Sequence, residues 1–237
     1  MAAVHSDIFK CDDDTITALQ QHFKIPTRTP QLNEDRFAAE ACVTWPYKPN
    51  FELATIAYDA GVPYEKRVVV AVIDSNTGRV ASSYERIINE DAAVSIGRDS
   101  LKFDTARYQL SKNVRAFALR FDSAAHPANC ADFYRETELT LLVPEGPILR
   151  SVLTVYMHHA HMFSGCAGDS KTSEIADLTI GIEKSTTNGL YDLSVLAKIV
   201  TYDRRGSVER EVNKVERRVF WYDGEQYRTR NGAWWLE

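Results

Sequence analysis

From residue 67 to the C-terminus the chain repeats one pattern, short alternating apolar and polar segments, each broken by Gly, Asn or Pro. RVVVAVI at 67–73 runs into a turn at Ser75, Asn76, Thr77 and Gly78, and RRVFWY at 217–222 runs into Asp223 and Gly224. Alternation buries one face of a strand, and short turns join antiparallel neighbours. The expected fold is therefore mainly β, an antiparallel multi-strand meander, either two-sheet or irregular and propeller-like, with one short N-terminal helix. Loop lengths between hairpins are irregular and no fixed-period repeat emerges, which argues against a regular propeller.

The helix is expected over residues 15–25, where Ile16, Leu19 and Phe23 recur at helical spacing behind Asp12, Asp13 and Asp14. Carboxylates at that position cap free N–H groups and oppose the positive end of the dipole. A calcium loop is the other use of three acids, but its alternating ligand spacing and later Glu are missing. Pro26 and Pro30 are expected to end the helix. Strands are expected at 39–45, 52–58, 68–73, 79–86, 101–103, 107–110, 115–121, 138–143, 148–156, 176–183, 191–202, 208–221 and 226–230, with a last segment at 233–236. No Gly-, Ser- or Pro-rich linker divides the 237 residues, so one β-rich domain over 1–237 is expected, with 1–36 as a helical extension packed on it.

A net charge of −5 gives no overall electrostatic reason to hold nucleic acid, and the arginines from 204 to 230 are interleaved with glutamates. No apolar run approaches the roughly 20 residues of a membrane helix. The start, Met1, Ala2, Ala3 and Val4, resembles both the stub left after loss of an export signal and an ordinary cytosolic beginning.

The four cysteines, Cys11, Cys42, Cys130 and Cys166, have no paired zinc-type spacing. The strands at 138–143 and 148–156 flank PEGP at 144–147 and should pair, which sends Cys130 and Cys166 out of the open end of that hairpin together. Cys11 precedes the helix and Cys42 lies in the first strand, so a second bridge would clip helix to sheet. Two bridges imply an oxidising compartment, whereas four buried thiols would imply a reducing one.

Half of the six histidines stand in YMHHAHM at 156–162, flanked by Met157 and Met162. On a strand His159 and His161 point one way and His158 the other, so the first two are the candidate metal ligands. Imidazole with thioether suits copper, and imidazole alone suits zinc. The competing reading is a polar strand end leading into a disulfide loop. No nucleophile elbow, Ser-x-x-Lys pair or phosphate-cradling glycine loop stands out, so no catalytic residue and no cofactor are expected. Phe220, Trp221, Tyr222, Tyr227, Trp234 and Trp235 crowd the C-terminus, as core-closing residues or as recognition hot spots.

LKFDTARYQL at 101–110, VRAFALRF at 114–121 and LTLLVPEGPILRSVL at 139–153 resemble a group of uncharacterised exported β-rich proteobacterial proteins. In these, a D-T-A-R-Y segment and an L-x-L-x-V, L-R-x-V-L hairpin recur in the same order. The resemblance covers about 40–200 and implies export, with no catalytic residues. The resulting expectation is a non-catalytic periplasmic binding protein, an immunity protein or inhibitor that occludes a secreted toxin or cell-wall enzyme and displays loops at 122–134 and 163–173. The alternatives are a periplasmic copper- or zinc-binding protein using Met157, His159, His161 and Met162, and a hydrolase.

Overall fold

The computed structural model describes residues 10–25, 37–126, 131–164, 170–206 and 208–236. The class is as expected, with twelve strands in one mostly antiparallel sheet that does not close, and one α-helix among the described residues. The chain forms two compact units, residues 1–106, 117–125 and 142–150 in the first, 107–116, 126–141 and 151–237 in the second.

The first unit begins with α1, Asp13–Phe23. The Asp12 side chain accepts the Thr15 N–H at 2.7 Å, so the acidic triplet caps the helix. The helix stops before the prolines: Lys24 turns left-handed (φ 54°) and the Ile25 N–H reaches back to the Gln20 carbonyl at 2.9 Å. Pro26 and Pro30 lie outside the described residues.

β1 (Ala39–Thr44), β2 (Phe51–Asp59), β3 (Glu65–Asp74) and β4 (Arg79–Asn89) follow as an antiparallel meander. The unbroken apolar run in β3 is explained by burial of both its faces. Val68, Val70 and Val72 join Leu53, Trp45, Phe117 and Leu119 in one core. Val69, Ala71 and Ile73 join Ile56, Cys42, Ile16 and Leu19 in a second core under the helix. The Cys11–Cys42 disulfide closes this helix-side core, as the sequence led us to expect. Cys130 and Cys166 lie outside the described residues.

β5 (Leu101–Asp104) pairs with β6 (Phe117–Phe121), Leu101 opposite Phe121. The expected strand at 107–110 is not there; only an isolated bridge joins Gln109 and Arg115. Side-chain hydrogen bonds win locally over a ladder. The Ala106 N–H goes to the Asp104 carboxylate at 2.9 Å, and the Gln109 amide donates to the Ser111 and Val114 carbonyls at 2.6 and 3.2 Å.

β7 (Phe133–Glu145) and β8 (Ile148–Ser164) turn at Gly146, whose φ of 59° suits a residue without a Cβ. Both outrun the expected 138–143 and 148–156. In the second unit β8 continues into β9 (Ser170–Thr187), β10 (Leu190–Arg205) and β11 (Val208–Tyr222), each paired antiparallel with the next. Only Tyr227–Arg228 remains of the expected strand at 226–230, as β12, because the Asp223 carboxylate takes the Glu225 and Gln226 N–H groups and holds a turn there. Residues 234–236 form a 3₁₀ turn that delivers Trp235 to full burial, its indole N–H on Glu216 at 3.1 Å and Arg218 over its ring. The C-terminal aromatics thus divide: Phe220, Tyr222, Tyr227 and Trp235 close the core, while Trp234 is only partly buried.

Candidate functional site

The histidine run lies on β8, in the last residues of the strand before Ser164, and it is paired there. His158, His159, Ala160, His161 and Met162 of β8 stand in register with Asp177, Ala176, Ile175, Glu174 and Ser173 of β9, so the ladder fixes which imidazoles share a face. His158 falls on one side, its ring nitrogen on Asp177 at 2.7 Å with Tyr134 beside it at 6.0 Å between ring centroids. His159 and His161 fall on the other, as alternation required.

On that second face the two rings have common neighbours. Phe133 of β7 lies 6.0 Å from His159 and 6.1 Å from His161, and Trp234 lies 6.4 and 6.0 Å from them. Phe163 lies against His161 at 4.2 Å with the rings tilted by 45°, and Arg135 covers Tyr156 at 4.5 Å. The depth is graded, because His159 is 1% exposed while Phe133 and Phe163 are 38% and 51% exposed. Burial drives the His159 pKa down to about 4 against the opposing hydrogen bond to Tyr156, with the Arg135 and His158 charges adding to the fall. The ring is neutral at pH 7, and its Nδ1 is buried without a hydrogen-bond partner.

Chemically this is an aromatic surface with a neutral imidazole at its base. Met157 joins His159 and His161 on the face by alternation, and no group of three or more His, Cys, Asp or Glu that would hold a metal converges among the described residues. The loops expected to display binding residues are shorter than 122–134 and 163–173. Phe133 and Tyr134 belong to β7, Phe163 and Ser164 to β8, and 170–173 to β9, while 127–130 and 165–169 lie outside the described residues.

Two features had no signal in the sequence. Asp192 is 6% exposed with one carboxylate oxygen unpartnered, and it adds to the burial that raises the phenol pKa of Tyr227, whose hydroxyl donates to the Tyr191 carbonyl at 2.7 Å. The same unit holds a cavity of about 250 Å³ lined in part by Ser151, Thr154, Gln226 and Tyr227. Neither brings a nucleophile to a base. Among the described residues no helix is long and apolar enough to cross a membrane. Compared with protein-family models, curated proteins and solved structures, the chain matches none.

Proposed function

We propose that this is a non-catalytic binding protein of the bacterial periplasm, an immunity protein or inhibitor that occludes a secreted toxin or cell-wall enzyme. The observation that carries the reading is the half-exposed aromatic face formed by Phe133 of β7, His161 and Phe163 of β8, and Trp234 of the C-terminal 3₁₀ turn. Aromatic anchors on a rigid scaffold lose little entropy on association, and they are the residue types that dominate binding energy. The Cys11–Cys42 disulfide supports the oxidising address, as does the resemblance of 101–153 to exported β-rich proteins. Purification with the product of the neighbouring reading frame tests it. A stable complex is expected, weakened about tenfold or more by Phe133→Ala or Phe163→Ala, as for anchor residues. Absence of a complex, or turnover of a substrate that survives purification and disappears on one substitution, overturns it.

A second reading is favoured by the buried, unpartnered Nδ1 of His159. With Nε2–H committed to Tyr156, that lone pair is free for a soft metal ion, with His161 and Met157 beside it as further donors for copper, or the imidazoles alone for zinc. Equilibrium dialysis against Cu(I) and Zn(II) decides this reading. Tight uptake abolished by His159→Phe supports it, and the absence of bound metal removes it.

A further inference from the structure

β11 has one ladder where a strand inside a sheet has two. Residues 208–220 pair with β10 from Arg205 back to Leu193 without a register shift, whereas β12 covers only Trp221 and Tyr222. Among the described residues the outer edge of 208–220 has no strand beside it. Natural edges are blunted by proline, bulges, short length or charged side chains, and this one carries Glu209, Arg210, Glu211, Lys214, Glu216, Arg217 and Arg218. This edge has none of the first three: it is long, regular and without Pro or Gly. Residues 208–215 are exposed on both faces, and Val208, Val212 and Val215 are 68%, 45% and 64% exposed.

The side chains of β11 select an occupant. When the strand is laid antiparallel against its own copy with the two-fold axis at Asn213, Glu209 of one copy faces Arg217 of the other and Arg210 faces Glu216, each pair occurring twice. Val212 then faces Lys214, Glu211 faces Val215, and Asn213 faces itself, so no like charges meet. Neighbouring registers lack this property. Shifting by one sets Glu209 against Glu216, or Arg210 against Arg217; shifting by two sets Arg210 against Lys214, or Lys214 against itself. Even and odd positions lie on opposite faces, so the two kinds of ion pair pin the register from both sides. Glu209 and Arg210 have no ion pair among the described residues, whereas Arg217 already meets Glu183 at 2.5 Å and Glu216 meets Arg218 at 3.0 Å. Within the sheet Glu209 and Arg210 stand opposite Arg204 and Asp203 of β10, and self-pairing sets a second complementary charge on their open side.

We propose that the protein is a two-fold dimer in which β11 pairs antiparallel with β11 of a second copy, centred on Asn213. The pairing adds on the order of ten backbone hydrogen bonds and covers the exposed valines. It rests on the β11 edge alone and makes no use of the aromatic face on β8.

Sedimentation velocity over a concentration series reads the dimer directly. Glu209→Lys places Lys against Arg217 twice, and Arg217→Glu places Glu against Glu twice, so each variant alone is expected to dimerise about tenfold or more weakly. Mixed in equal amounts, the two variants form a heterodimer in which every pair is again complementary, and association returns to the wild-type level. A structural role for either residue does not produce that rescue. Asn213→Cys is expected to cross-link two copies on mild oxidation, because residues on the axis face each other closely, and Lys214→Cys to do so far less. A monomer at every concentration, a dimer indifferent to both charge reversals, or a mixture without rescue overturns the proposal.

Discussion

His159 donates its Nε2–H to the carbonyl oxygen of Tyr156, three residues back on the same strand, across 3.1 Å, and this bond sets the tautomer that leaves Nδ1 bare inside the protein. Protonating Nδ1 would place a charge where water does not reach. The folded ring therefore titrates at about 4, against about 6.5 in an unfolded chain. With the folded value depressed for a base, the unfolded state takes up the proton first. Stability is thus unaffected by this group above about pH 6.5 and falls as pH drops from there toward 4, by about 3 kcal/mol at most. Urea titrations of metal-free protein at steps between pH 4 and 7 should show that slope, and His159→Leu should flatten it.

The Cys11–Cys42 bond closes a loop of 31 residues and ties the start of α1 to β1. Chain-entropy arguments put the loss on removing such a cross-link at about 2–4 kcal/mol. Cys11→Ala with Cys42→Ala should lower the denaturant midpoint accordingly. Thiol titration of unfolded, unreduced wild type should find no free thiol, since we propose that Cys130 and Cys166 form the second bridge.

Phe117 and Trp235 are each the largest side chain fully buried in its own compact unit, with Phe117 held between Trp45 at 5.5 Å and Phe103 at 5.8 Å. Truncating either to Ala should cost about 3–5 kcal/mol. The expectation of a single domain adds a sharper outcome. Calorimetry should show one transition that both substitutions lower, and two transitions moved separately would divide the chain into two domains.

Gly181 of β9 stands opposite Ser194 of β10, and a Cβ there would come within 2.8 Å of the Ser194 hydroxyl oxygen. Ser194 is 3% exposed and has little room to yield. Gly181→Val should cost about 1–3 kcal/mol through overpacking. Adding Ser194→Gly should recover part of that loss, as a double-mutant cycle would read.

Local alternation was enough to recognise Val68 to Ile73 as a strand, the acidic triplet as a helix cap, and Cys11 as a clip near Cys42. Those features depend on neighbours in the chain, on spacing and on which residue types accept a backbone N–H. It misread RYQL at 107–110 as a strand, because the Asp104 and Gln109 side chains satisfy backbone groups that a ladder would otherwise use. It stopped β8 short at the histidines because polar residues hide a strand's continuation. Their partners Asp177 and Glu174 lie more than a dozen residues away.

Composition and period by themselves determined that this chain is a mostly antiparallel β protein with one capped helix, and that His159 and His161 share a face, since side-chain direction alternates along any strand. Only the tertiary structure decided that His159 is buried beneath Phe133 and Trp234, that β3 serves two cores, and that β11 keeps an uncovered edge. Burial and vacancy depend on which distant segments arrive beside a residue, and chain proximity carries no record of that.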